Sequence, residues 1–237
     1  MKIALGLNFN ESPQELVKKG RLAESLRLDM VWIGDLPNER YAPAMAALLA
    51  EQTTKIGIGL GLISPLLHKE EHIASSLCTL TDLYGERFEL LIGPGDRERL
   101  RSVGIEYVKH MPTRLTNALQ EIRDNLEKHN IRCKIFLGAQ GPRMLKASRS
   151  FDGVLVNLSN IEMVKWALRH IGSVKEDFEI GVFAPSYIYS NPNSRIEGLA
   201  LMAAAVVARG ASREVMEQAR LSRDIAGRNR LDREHSQ

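Results

Sequence analysis

Short, almost uniformly apolar runs alternate along this chain with longer stretches in which apolar residues recur every three or four positions. The short runs at residues 2–9, 30–34, 55–63, 88–92, 134–137, 153–157 and 178–188 predict strands. The longer stretches at 16–27, 42–52, 71–83, 114–128, 143–150, 161–171 and 195–208 predict helices. Strand-then-helix alternation carried through seven units predicts a parallel sheet covered by helices. Strands that are apolar nearly throughout, rather than at every second position, fit a sheet buried on both faces. The helix punctuation agrees. Ser12-Pro13 has the form of an N-cap followed by proline at the first helical position, with the helix starting near Glu15, and Pro112-Thr113 opens the amphipathic stretch carrying Leu115, Leu119, Ile122 and Leu126. Gly85 and Gly172 stand where helices should stop.

Two architectures satisfy this pattern, a (βα) barrel and a doubly wound open sheet, and both place ligands at the carboxyl ends of the strands. Small, polar and glycine-rich residues gather at those ends: Asn8-Phe9-Asn10, Gly34-Asp35, 59–64, Gly93-Pro94-Gly95-Asp96, 138–142, 157–160 and 186–191. The break at Gly93-Pro94-Gly95-Asp96 is in isolation an ordinary turn. In this company it reads as one wall of a shared mouth.

Length and composition narrow the choice of partner. A chain of 237 residues, 44% apolar, fits one barrel-sized domain spanning 1–237, with a helical extension from about residue 194. Thirty-two basic and 29 acidic residues leave a net charge of +3, a mixed surface rather than a nucleic-acid stripe. The basic tail at 209–233 interleaves acids as a solvated helix face does. Cys78 and Cys133 are far apart with no CxxC, so neither a disulfide framework nor a zinc ribbon is expected. The leading MKIALGLNF is too short in its apolar run for a signal peptide, and no stretch is long enough to span a bilayer, so a cytoplasmic protein is expected.

Four local patterns carry candidate chemistry. Gly138-Ala139-Gln140-Gly141-Pro142 is a strand-to-helix turn that either binds phosphate at a helix start or is a plain βα turn. Gly57-Ile58-Gly59-Leu60-Gly61 imitates a dinucleotide fingerprint but lies inside a strand, where glycines mark close approach by a flat ligand or a backbone distortion. His68-Lys69-Glu70-Glu71-His72 fits a zinc-peptidase pattern literally, yet it has no third ligand, and no metal is expected. Asp35, directly after a predicted strand, is either an acid/base or anchoring group or a loop residue capping the next helix.

The stretches DMVWIGD (29–35), KIGIGLGLISP (55–65), TLTDLYGERFELLIGPGD (79–96), VGIEYVK (103–109), FLGAQGPRMLKA (136–147) and DGVLVNLSN (152–160), taken in order, resemble the methylenetetrahydromethanopterin reductases. These belong to the bacterial-luciferase-like family of TIM barrels and use the deazaflavin coenzyme F420. The resemblance implies a shortened TIM-type (βα) barrel of about seven units. It also implies hydride transfer between the deazaflavin, or FMN as the alternative, and a C1-carrier or other small organic substrate. It places the coenzyme against Asn8, Asp35, Gly61, Leu62, Ile63, Gly93, Gly95, Asp96, Gly138, Ala139, Gln140, Gly141 and Asn157, assigns catalysis to Asp35 and Asp96, and implies a cis peptide at Gly61-Leu62.

Some features depart from the family. Gly6 stands where the reductases carry a glutamate, and Leu36 where they carry a histidine. The insertion before the fifth strand is cut to 127–132, and no eighth strand follows. Loss of two polar mouth positions admits a second reading, a non-catalytic flavin- or deazaflavin-binding paralogue. The missing strand predicts that strands one and seven either pair directly or leave open edges. The 195–208 helix, apolar nearly all round, and a helix at 212–228 should then cover the gap or a neighbouring subunit, giving a homo-oligomer, most simply a dimer.

Overall fold

The computed structural model describes residues 1–7, 10–186 and 213–218. Seven strands, β1 (Ala4–Leu7), β2 (Met30–Ile33), β3 (Gly57–Ile63), β4 (Phe88–Ile92), β5 (Ile135–Ala139), β6 (Gly153–Val156) and β7 (Glu179–Val182), lie in one parallel sheet in the order of the sequence. With no reversal of strand order there is no topological switch point, and the doubly wound alternative falls. The connecting helices are α1 (Pro13–Ser25), α2 (Ala42–Glu51), α3 (Glu70–Tyr84), α4 (Arg97–Ser102), α5 (Met111–Lys128), α6 (Pro142–Ala147) and α7 (Ile161–Ile171), with α8 at Arg213–Gln218. The helix expected at 195–208, and most of 212–228, lies outside the described residues.

Laid flat, seven strands about 4.8 Å apart would hold β1 and β7 roughly 29 Å from each other. Lys2, just before β1, nevertheless reaches Glu179 at the start of β7 at 3.1 Å, and Glu89 of β4 at 3.5 Å. Trp32 of β2 meets Phe136 of β5 edge to face, ring centres 6.0 Å apart. Such contacts between non-neighbouring strands require a sheet curled on itself, an incomplete barrel matching the expected fold. Among the described residues β1 and β7 form no ladder, so the sheet keeps two edges, one of the two arrangements expected of a seven-stranded chain.

The two faces of the strands are filled differently. Aliphatic residues such as Val31, Ile33, Ile58, Leu60, Leu90, Ile92, Leu137 and Val154 point outward and are fully or almost fully buried under the helices. Each contributes about 1.5–3 kcal/mol of transfer free energy. The inner face instead pairs a large side chain with a glycine of matching register on the next strand: Trp32 with Gly59, Met30 with Gly57, Phe136 with Gly153 and Leu155 with Gly181. A Cβ at Gly59 or Gly153 would run into the Trp32 or Phe136 ring. Gly57 and Gly59 thus make room for side chains of β2 rather than for a flat ligand, while the other expectation for this run, a backbone distortion, is met at Gly61. Strict outward-aliphatic, inward-mixed alternation likewise refines the expectation of uniformly apolar strands.

Helix ends follow their capping residues. Ser12 Oγ accepts the Glu15 amide hydrogen bond at 3.2 Å, with Pro13 opening α1, and Asn160 accepts from the Glu162 amide at 2.9 Å. Gly85 (φ 81°) and Gly172 (φ 68°) end α3 and α7 in a backbone conformation that residues with a Cβ rarely adopt.

Candidate functional site

The carboxyl ends of β2 through β6 bring most of the predicted residues to one side of the sheet. β3 ends irregularly: the register against β4 shifts between Leu60 and Ile63, the Gly61-Leu62 peptide is cis, and a Cβ on Gly61 would press on the Leu91 backbone. The Leu62 side chain consequently turns across the ends of β4 and β5 and lies over Gly93 and Gly138, either of which would collide with it through a Cβ. Gly61, Gly93 and Gly138 thus leave room for Leu62 at the carboxyl ends of β3, β4 and β5, while the Ile63 side chain is buried in the core. Ala139 closes β5 beside Val156, and Asn157 follows β6 on the same side. Gly141 starts α6 with no side-chain cap, and a Cβ there would meet nothing within 4 Å. Asn8 lies outside the described residues.

Asp35 lies two residues beyond β2, with only 3% of its side chain exposed. Its Oδ1 accepts a hydrogen bond from the Ala42 amide in the first turn of α2 at 3.1 Å, and its Oδ2 faces His68 Nε2 at 2.7 Å. One oxygen thus serves the helix start and the other an imidazole. The Tyr41 ring sits 5.7 Å from the His68 ring, and burial, followed by the Asp35 charge, raises its phenol above the ordinary tyrosine value.

His68 precedes α3, and its loop is braced from several sides. The Leu67 and His68 amides both donate to Ser64 O at 3.0 Å, Ser64 Oγ donates to Pro94 O at 3.0 Å, and Arg114 of α5 donates to Pro65 O at 2.8 Å while pairing with buried Glu70. His68 and His72 do not join in a metal-binding set, because His68 turns to Asp35. No group of three or more His, Cys, Asp or Glu side chains suited to a metal occurs among the described residues.

The loop after β4 is held in place too. Asp96 Oδ1 accepts the amides of Glu98 and Arg99 at 2.9 and 3.0 Å and caps α4. Tyr107 OH donates to Gly95 O at 2.9 Å beneath the Arg97 guanidinium, 4.7 Å from the ring centre. Burial pushes the Tyr107 phenol up to about 12, with Arg97 pulling the other way. Near β1, the Phe183 ring occupies the space beside Gly6, within 2.9 Å of where a Cβ would stand, so the glutamate absent from this position has no room here.

Two cavities lie away from this mouth. One, of about 350 Å³, is at the amino ends of the strands among Lys2, Glu89, Arg132 and Lys134, and the other is a groove between α1 and α2. The first is the floor of the barrel, where charges pair with one another; the mouth is where a fixed carboxylate meets a half-open imidazole. In barrels of this kind ligand chemistry sits at the carboxyl ends.

The sheet order, the curl of the sheet and the side on which the site lies define a TIM-type (βα) scaffold. The family model of the luciferase-like monooxygenases matches residues 2–127, and the chain belongs to that family. The 5,10-methylenetetrahydromethanopterin reductase of Archaeoglobus fulgidus is 28% identical over 86% of this chain and 69% of its own length. The enzyme of the same name from Methanolobus tindarius is 28% identical over 72% of this chain and 59% of its length, so the chain spans well under two thirds of that relative. The structure of coenzyme F420-dependent tetrahydromethanopterin reductase from Methanopyrus kandleri superposes with a TM-score of 0.80 at 20% identity, covering 94% of this chain and 76% of that one. No described helix is long and apolar enough to cross a membrane.

Sequence reasoning missed His68 as a site residue, along with Tyr41, Ser64 and Arg114. His68 was visible only inside a metal-like pattern, and its true partner lies 33 residues away.

Proposed function

We propose that the protein is an oxidoreductase that holds a deazaflavin of the F420 type, or FMN, on the surface formed by Gly61, Leu62, Ile63, Gly93 and Gly138. Asp35 flanks that surface, and Gly95, Asp96, Ala139, Gln140, Gly141 and Asn157 line its rim. The observation that carries the reading is Leu62 packed over two glycines at the carboxyl ends of the strands, the same end of the sheet as the buried Asp35 carboxylate, in a chain of the luciferase-like family. When bound, such a coenzyme supplies hydride. The chain's own residues bind it, orient it and keep water from one face. The names of the relatives point to a C1-carrying pterin as the substrate class. Titration with F420 and, separately, with FMN, followed by fluorescence, tests the site. Saturable binding of one of them is expected, and binding of neither overturns the reading.

A second reading, a non-catalytic binding paralogue, is favoured by Asp96, whose carboxylate is taken up in capping α4, and by Phe183 in place of an acidic group near β1. Tight binding with no reduction of 5,10-methylenetetrahydromethanopterin, or of imines or carbonyls, would establish it. We read the chain as one domain and as a homo-oligomer, because among the described residues β1 and β7 pair with no further strand and Ile180, Val182 and Phe183 are exposed. Light scattering coupled to size exclusion should return at least a dimer, and a soluble monomer at micromolar concentration refutes it.

A further inference from the structure

We propose, resting on the reading above, that His68 is the proton-transfer residue of the mouth and Asp35 the residue that positions it. An ionised carboxylate only accepts hydrogen bonds, so the 2.7 Å contact with Asp35 Oδ2 keeps a proton on Nε2 and leaves Nδ1 as the nitrogen that gains or loses one. Asp35 itself cannot swing away, because its other oxygen is held by the Ala42 amide. For Nδ1 no hydrogen-bond partner is found among the described residues. No buried side-chain nitrogen or oxygen there lacks a partner, so Nδ1 is open to solvent. With 22% of its side chain exposed, the ring has one free edge.

Around it, Ser64, Pro65 and Arg114 fix the loop, Tyr41 packs against the ring, and Glu70 is occupied by Arg114. A fixed acceptor behind an imidazole whose far nitrogen is free is the arrangement of a general acid/base, whereas a pair serving only to tie loops together needs no open nitrogen.

The chemistry balances for an N–CH2–N carrier. The bridging carbon would receive a hydride, two electrons with the nucleus, from the reduced deazaflavin, and one of its C–N bonds would break with its electron pair going to nitrogen. That nitrogen would take the proton from Nδ1–H of the imidazolium. The products would be an N–CH3 group, an N–H group, oxidised coenzyme and neutral His68 still bonded to Asp35. In reverse, the Nδ1 lone pair collects the same proton.

Long-range proton–nitrogen NMR on the whole protein without coenzyme reads the tautomer directly. The neutral ring of His68 should carry its proton on Nε2, and Asp35→Asn should abolish that preference; a neutral ring protonated on Nδ1 overturns the proposal. Carbethoxylation by diethyl pyrocarbonate should modify His68, and saturating F420 should suppress that labelling at least tenfold. If F420 binds and His68 is labelled unchanged, the proposal fails while the coenzyme reading stands. If nothing binds, the coenzyme reading fails, and so does a proton-transfer role built on it, even with the tautomer as expected. With F420 bound and 5,10-methylenetetrahydromethanopterin as the probe, His68→Gln should lower turnover about 100-fold or more with the F420 Kd within about twofold. Equal turnover overturns the proposal.

Discussion

The floor and the mouth of this barrel are both rich in charge, and they use it in opposite ways. At the floor, Lys2, Glu89, Lys134 and Glu179 answer one another across β1, β4, β5 and β7. Burial alone would raise the Glu179 carboxyl, but hydrogen bonds from Lys134 and Lys2 outweigh it and hold the group below the ordinary glutamate value. At the mouth, Asp35 is fully engaged while its partner His68 keeps a free nitrogen. Charge that is mutually satisfied closes a fold, and charge left half-satisfied at a ligand surface can do chemistry. Between the two, Trp32, Phe136 and Leu155 pack as a plug over glycines of the neighbouring strands.

The largest expected effect comes from breaking that plug. Gly59→Val forces a branched side chain into the Trp32 ring and should cost about 1–3 kcal/mol of stability, read as a lower denaturant midpoint at unchanged slope. Gly141→Ala at the mouth has nothing within 4 Å and an extended backbone (φ −97°), so its stability should stay within about 0.5 kcal/mol of the parent. Its F420 affinity should nevertheless fall, because the uncapped start of α6 is where the new methyl stands. If Gly59→Val were neutral and Gly141→Ala destabilising, the assignment of glycines to plug and rim would be reversed.

Next in size are single contacts at each end. Glu179→Gln loosens both lysines of the floor at once, and Lys2→Met leaves Glu179 still paired with Lys134, so the first should cost more, about 1 kcal/mol against a few tenths. Tyr107→Phe frees Gly95 O at the mouth and should also cost about 1 kcal/mol. It should weaken coenzyme binding as the loop after β4 loosens, which neither floor variant should do. Equal effects of all three on F420 affinity would dissolve the distinction between the ends.

The parts of this molecule that were legible from sequence are those written in local periodicity. Seven strands, the six expected helices that lie among the described residues, the Ser12 and Gly172 caps and the Gly61-Leu62 peptide fall where the pattern and the family resemblance put them. Short α4 was not foreseen, because six residues after Asp96 carry too little periodicity to separate a helical turn from a loop. The inner-face pairings were invisible for a different reason. Whether Gly59 serves a ligand or Trp32 depends on β2–β3 register, which no single segment encodes. His68 belongs to the same class, since its contact with Asp35 follows from the pairing of β2 with β3, which brings the loops after them together.

The smallest effect is also the sharpest within the floor, because two glutamates of one cluster should respond with opposite sign. Glu179 has a lowered carboxyl in the folded protein, so ionisation stabilises the fold; that contribution is present above the unfolded value of about 4.5 and lost as pH falls through the folded one. Glu89 is raised: burial comes first and exceeds the pull of Lys2 at 3.5 Å. Its contribution is therefore complete below the unfolded value and is lost as pH rises through the folded one, so that at neutral pH the charged group weighs against the fold. Glu179→Gln should lower the Tm at pH 7, and Glu89→Gln should leave it unchanged or raise it. Both differences should be smaller at pH 4 than at pH 7, that of Glu89 the more so, because its raised carboxyl is neutralised before the lowered one of Glu179. Thermal unfolding of the two variants and the parent at pH 7 and pH 4 checks this, and a loss of Tm in Glu89→Gln as large as in Glu179→Gln would show that Lys2 serves Glu89 rather than Glu179.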